Sequence, residues 1–146
     1  IQTSGINPFP LFRAAVPHDD CGGKKRGFSD ITFLKVGSAT IVHMGDIGRE
    51  PSEEEYEALQ RADVILMPVG GYYTIDAAMA AKILAKIPAK LIILMHYRRG
   101  KAGYDVLADL DTVKNSFSGL KNLNETFITF DENTVPEETI TLRPVQ

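Results

Sequence analysis

The sequence predicts an α/β fold built on a parallel sheet, and three observations carry that expectation. Residues 39–44, 63–67 and 91–95 are short apolar runs rich in β-forming residues. Helical patterns fill the two gaps between them. Each run ends in unusual chemistry: Gly45-Asp46-Ile47-Gly48, Pro68-Val69-Gly70-Gly71-Tyr72-Tyr73 and His96-Tyr97. Strands joined by helical crossovers lie side by side and point the same way. The three endings should therefore meet at one sheet edge, where open α/β sheets bind ligands, bringing Asp46 and His96 together.

The 146 residues are read as a single domain, 1–146, long enough for a core of its own. A net charge of -3 gives no reason to expect nucleic acid or an anionic membrane surface. No apolar run approaches the roughly 20 residues that span a bilayer, and no basic and then apolar leader opens the chain, so the expected location is cytoplasmic. Cys21 is the single cysteine and cannot form an internal disulfide. A start at Ile1, in a loop-like stretch, reads as a piece of something longer.

Taken in order, residues 1–13 hold two prolines and a glycine and read as an irregular lead-in to a short strand at 14–17. That strand delivers the polar loop 18–27, whose glycines let His18 and its neighbours approach a ligand; the plain alternative is a surface turn with an incidental histidine. Residues 31–36 and 39–44 flank Gly37-Ser38 as a β-hairpin. Ser52 caps a helix that runs to about Gln60, with Glu53, Glu54 and Glu55 in its first turn facing the positive end of the dipole. Those acids are capping groups, not catalysts. Residues 63–67 read as a strand buried on both faces. Beyond Gly70-Gly71, Thr74 is taken as the cap of an alanine-rich helix with Asp76 in its first turn, stopped by Pro88. The glycine pair lacks the lysine and spacing of a phosphate loop or dinucleotide fingerprint. Residues 91–95 form the third buried strand. A surface excursion over 101–108 leads to a helix at 112–117, beginning near Asp109 or Asp111 and ended by Gly119. Residues 126–130 and 138–142 are expected as a closing pair of strands around Asp131-Glu132-Asn133.

His18, Asp46 and His96 all leave β-elements by short loops, and two imidazoles with a carboxylate suit zinc, iron or manganese. Scattered residues of these types also occur by chance in domains of this size. His43 is a fourth candidate: strand alternation turns it into the packing or behind the ligands, where it could orient one, and direct ligation is the lesser alternative. Tyr72, Tyr73 and Tyr97 flank the mouth as candidate donors to a developing oxyanion. Arg26, Arg98 and Arg99 are candidate bidentate partners for an anionic substrate group. Packing and solvated loop charge are the plain readings of these six. Cys21 as a nucleophile paired with His18 lacks an activating partner.

His18-Asp19-Asp20 with Arg26-Gly27, His43-Met44-Gly45-Asp46-Ile47-Gly48, Asp63 through Pro68-Val69-Gly70-Gly71-Tyr72-Tyr73-Thr74-Ile75-Asp76, and Met95-His96-Tyr97 together resemble the carboxyl-terminal half of the metallo-β-lactamase superfamily. More narrowly, the chain resembles its branch of metal-dependent hydrolases related to the phosphorylated-ascorbate lactonase. The resemblance covers about residues 14–100 and implies a four-layer αββα sandwich, of which this chain is the carboxyl-terminal half. It implies two zinc ions, with iron or manganese as alternatives, and a small-molecule substrate. His18 would be the third histidine of the first metal site, Asp46 the catalytic carboxylate bridging both ions, and His96 the last histidine of the second. His43, Tyr73, Tyr97 and Arg26 would support the ligands or touch substrate. Metal ions lower the pKa of a bound water to about 7, and the hydroxide would attack an ester, lactone or phosphodiester. The family's remaining ligands come from a His-x-His-x-Asp-His motif that these 146 residues do not contain. The resemblance therefore implies that a missing amino-terminal segment, or a second copy of the chain, completes the site and covers an exposed apolar sheet face. The alternative is a non-catalytic or degenerate α/β module acting in assembly or binding.

Overall fold

The alternating β-forming and helical runs assemble into one seven-stranded sheet in the computed structural model, which describes residues 9–144. The elements are β1 (Phe9–Pro17), β2 (Phe28–Val36), β3 (Ala39–His43), α1 (Glu53–Leu59), β4 (Val64–Pro68), α2 (Ala77–Leu84), β5 (Leu91–Met95), α3 (Leu110–Lys114), β6 (Lys121–Asn122) and β7 (Glu138–Thr141). Their spatial order is β1-β2-β3-β4-β5-β7-β6. β1, β2 and β3 pair antiparallel with one another, and from β3 onward every pairing is parallel. In register, His43 lies opposite Leu66 and Pro68 opposite Met95, so the carboxyl ends of β3, β4 and β5 share one edge as expected.

The two faces of the sheet are covered differently, and the alternation of side chains along each strand decides which residue serves which face. Val42, Ile65, Met67 and Leu94 pack with Tyr56 and Leu59 of α1, Ala80 and Ile83 of α2 and Val113 of α3. On the opposite face Val36, Ile41, Val64, Leu91 and Ile140 form a second cluster without a helical member. A sheet with helices on one face is the αβ half of an αββα sandwich. The second face is crossed by residues 123–135, and Leu34, Leu66 and Ile93 on it stay half-buried.

Four expectations change. β1 begins at Phe9, not at residue 14: a register shift between Pro10 and Phe12 absorbs the proline, and Phe12 stacks on Phe33 at 4.1 Å across the strand pair. The rest of the expected lead-in, residues 1–8, lies outside the described residues. The cap of α2 is Asp76, which accepts from the Met79 N–H at 2.8 Å, while Thr74 is held in the preceding turn by the Gly71 carbonyl. α3 is Leu110–Lys114: it starts, as expected, from Asp109, which accepts from the Thr112 N–H, but ends short of residue 117. Residues 126–130 are not a strand. Their alternation is real, with Ile128 and Phe130 half-buried against the second face and Phe127 71% exposed. One-sided burial needs no ladder, however, and the partner of β7 beyond β5 is the two-residue β6. The Ser52 cap of α1 is present as a full capping box with Glu55.

The loop that follows β3 is tied to both helices through Glu50, which accepts from Lys82 Nζ at 2.6 Å, Lys86 Nζ at 2.7 Å and the Tyr56 hydroxyl at 3.1 Å. Lys82, then Lys86 and Tyr56, hold the Glu50 carboxyl down at about 2. A carboxylate whose folded pKa lies below its ordinary 4.5 contributes stability that is complete above that pH and is lost as pH falls toward 2. Urea midpoints measured between pH 5 and 3 are expected to fall less steeply in E50Q than in the wild-type chain. Parallel curves would show that the clamp contributes nothing.

Candidate functional site

Asp46 sits in the turn after β3, between Met44 and Ile47, both fully buried, which pin the turn to the core. Its backbone N–H donates to Ser29 Oγ at 2.9 Å, so β2 also fixes it. Gly48 packs against the chain at His18-Asp19, where a Cβ would collide with backbone atoms, and its N–H donates to the Pro17 carbonyl at 3.0 Å. These contacts press the loop after β1 against the loop after β3.

The loop 18–27 is organised by Asp19. This carboxylate is 3% exposed. Its Oδ1 accepts from the N–H groups of Cys21 and Gly23 at 3.0 and 2.8 Å, and its Oδ2 from those of Lys25 and Arg26 at 2.9 and 2.8 Å. Burial is the largest single influence and pushes its pKa up, but these bonds together outweigh it and hold the carboxyl well below the usual range. Asp19, Asp20 and Cys21 lie close enough to face one cation, yet both Asp19 oxygens are already committed to amides. The hydrogen bond to Asp19, followed by burial, pushes the Cys21 thiol up, away from nucleophilic thiolate.

His96 follows β5 in a left-handed backbone conformation, φ 59°, uncommon for a residue with a Cβ. His18 Nε2 lies 3.2 Å from Asp46 Oδ2, and His96 Nδ1 lies 3.1 Å from Asp46 Oδ1. The carboxylate thus sits between two imidazoles, one oxygen toward each. Side-chain exposures of 20% for His18, 41% for Asp46 and 38% for His96 leave the group open on one side. Around a tetrahedral zinc ion with bonds of about 2.0–2.1 Å, neighbouring donors stand about 3.3 Å apart, so the observed spacing fits ligands of a divalent cation. His18 Nδ1 is buried without a hydrogen-bond partner among the described residues. A ligating imidazole ordinarily finds a partner for that atom, and here it has none.

His43 accepts from the Gly45 N–H through Nδ1 at 3.0 Å, which assigns its own proton to Nε2. Burial, followed by the neighbouring His96, lowers its pKa, and Asp46 only partly offsets this. His43 is therefore a neutral prop for the turn that carries Asp46. Tyr97 donates its hydroxyl to the Leu142 carbonyl at 2.9 Å, tying the strand end to the chain beyond β7. Arg98 lies 3.4 Å from Asp109, and Arg99 donates to the Leu123 carbonyl at 3.0 Å. Arg26 instead lies over the rings of Tyr72 and Tyr73, 5.5 and 5.3 Å from their centroids.

Ser29 and the Asp19 staple are positioning residues that the sequence reading did not single out for those roles. Ser29 carries no local signal, because it meets the Asp46 turn only in the fold, whereas Asp19 binds amides two to seven residues ahead in its own loop, where an aspartate before Gly22-Gly23 is the local signal of such a turn. S29A is expected to cost about 1 kcal/mol in urea unfolding by leaving the Asp46 N–H unpaired. It should also weaken binding of zinc roughly tenfold, as outer partners of ligands do. Unchanged zinc affinity would deny Ser29 that role.

The profile of the β-lactamase superfamily domain matches residues 6–96. The chain is 31% identical over 91 residues to a UPF0173 metal-dependent hydrolase of Caldivirga maquilingensis, covering 62% of this chain and 38% of that protein. It is 30% identical over 115 residues to one of Staphylothermus marinus, covering 77% and 43%. The chain thus spans about two fifths of the length of these curated relatives. A crystal structure from the metallo-β-lactamase superfamily, from Thermotoga maritima, superposes with a TM-score of 0.68 at 22% identity, over 94% of this chain and 63% of that one, a likeness of fold. The matched profile takes in His18, Asp46, His96 and the strands that present them, and the chain belongs to the β-lactamase superfamily.

Proposed function

We propose that this chain is the carboxyl-terminal part of a metal-dependent hydrolase, and the observation that carries the reading is the Asp46 carboxylate held between the imidazoles of His18 and His96. The relatives from Caldivirga maquilingensis and Staphylothermus marinus bear the name metal-dependent hydrolase. His18, Asp46 and His96 would hold the metal, with Asp46 shared between two ions. Zinc matches two imidazoles and a carboxylate best, with iron and manganese as alternatives. A bound divalent ion lowers the pKa of a water to about 7 and polarises a carbonyl or phosphoryl oxygen.

The chain's own residues do the rest of the positioning. Asp46 is fixed by Ser29 and the buried Met44 and Ile47, neutral His43 supports the turn, and the open side of the group admits a small-molecule ester, lactone or phosphodiester. The remaining ligands would come from an amino-terminal segment or a second copy, which would also cover Leu34, Leu66 and Ile93. No helix among the described residues is long and apolar enough to cross a membrane. A cytoplasmic location belongs to the proposal.

Reconstitution tests this. The assembled protein is stripped by chelation, resupplied separately with zinc, iron and manganese, and assayed on an ester, a lactone and a phosphodiester. Metal-restored hydrolysis of at least one is the expected result. Absence of both metal uptake and turnover would overturn the reading in favour of a non-catalytic module.

A further inference from the structure

Three loops at the sheet edge that carries the candidate site bring together side chains outside the core clusters. Tyr72 and Tyr73 follow β4, Tyr104 follows β5, and Arg26 closes the loop after β1. The three rings are 61%, 40% and 73% exposed. They form a continuous rim: Tyr72 and Tyr73 meet edge to face at 4.8 Å, and Tyr73 and Tyr104 at 6.3 Å. Arg26 lies over the first two rings, and its guanidinium has no carboxylate partner among the described residues. Tyr72 has φ 44°, a conformation that aromatic residues rarely adopt and that persists where the surroundings impose it.

Backbone contacts fix this rim relative to Asp46 and the two histidines. The Arg26 N–H donates to Asp19, next to His18. Gly70 packs on the His96 carbonyl, the Ala108 N–H donates to the Gly70 carbonyl at 2.9 Å, and the Ile75 N–H donates to the Ile47 carbonyl at 3.0 Å. Exposed rings contribute nothing to core burial, while an exposed aromatic and cationic cluster beside a reactive group is the composition of a recognition surface. Lying over the two tyrosine rings, with no side-chain hydrogen-bond partner among the described residues, Arg26 can offer its N–H fork for two parallel bonds to a carboxylate or a phosphate. Arg98 and Arg99 are already engaged elsewhere.

We infer that Tyr72, Tyr73, Tyr104 and Arg26 form the docking platform for the part of the substrate that does not react, a planar ring bearing a carboxylate or a phosphate. The ring packs on the tyrosines and the anion takes the guanidinium edge of Arg26. The inference rests on the hydrolase reading in calling this ligand a substrate.

The test is equilibrium binding, followed by NMR of the tyrosine ring protons, with chelator present so that no metal ion competes for the anion. Phenyl phosphate and benzoate each carry ring and charge; inorganic phosphate, acetate and benzyl alcohol carry one without the other. At least one combined probe should bind roughly tenfold tighter than its separate halves, and comparison of the two combined probes distinguishes phosphate from carboxylate. R26A and Y73A should each weaken that probe by about tenfold, and R26K, which keeps the charge but loses the fork, should not restore it fully. All these side chains are exposed, so the variants keep the fold. Combined probes that bind no better than their halves, or affinities unchanged in R26A and Y73A, would overturn the platform. The readout does not require turnover. Selective binding without metal-dependent hydrolysis would sink the hydrolase reading alone, and hydrolysis without selective binding would sink the platform alone.

Discussion

D46N is expected to lower metal-dependent turnover of the assembled protein by about 1,000-fold or more, equivalent to about 4 kcal/mol of transition-state stabilisation, while thermal unfolding stays close to that of the parent. The Asp46 side chain is 41% exposed, and its recorded side-chain partners are His18 and His96. Its removal empties no core. The anchors of the turn, Met44, Ile47 and the Ser29 bond to the Asp46 N–H, are untouched by a change from carboxylate to amide. The isosteric amide keeps the volume but surrenders the negative charge and the second anionic oxygen, the two properties needed to bridge cations. Turnover and metal content measured on the same preparation decide the matter. Full metal content with turnover near the parent value would remove Asp46 from the bridging role.

What the sequence made readable follows from which interactions are local. The runs at 39–44, 63–67 and 91–95 are largely apolar because both faces of these central strands meet other side chains, and their shared direction follows from the crossovers between them. That suffices to bring Asp46 and His96 to one sheet edge. His18 needed more: a turn beyond β1 can point anywhere, and only the Asp19 staple and the approach of Gly48 decide that it points at Asp46. The misread elements failed for the same reason. Thr74 and Asp76 are both good caps two residues apart, and the choice falls to Asp76 because the Gly71 carbonyl claims the Thr74 N–H for the turn. Residues 126–130 alternate because one side meets the sheet face, a pattern that a strand and an extended crossing segment share. Arg26, Arg98 and Arg99 are equivalent in sequence; the partners at Asp109 and Leu123 distinguish them.

Gly70→Ala is expected to destabilise the chain by about 3 kcal/mol, whereas Gly71→Ala, one residue on, should cost about 1–2 kcal/mol. The contrast follows from two different constraints on adjacent glycines. A Cβ on Gly70 would overlap the carbonyl oxygen of His96 and come within 3.0 Å of Leu107 Cδ2, and the first of these is backbone that cannot swing aside. Relief requires β4 and β5 to part at the edge where Pro68 lies opposite Met95, next to a histidine already held at φ 59°. A Cβ on Gly71 would meet only Asp76 Cβ at an ordinary 3.6 Å, so its cost is confined to the left-handed backbone, φ 66°. The functional consequence should divide the same way: moving His96 away from Asp46 weakens zinc binding in G70A far more than in G71A. Urea unfolding and zinc titration of the two variants side by side provide the measurement. Equal losses of stability would show that the β4 and β5 loops yield easily at this point, and that the placement of His96 does not depend on the close approach of Gly70.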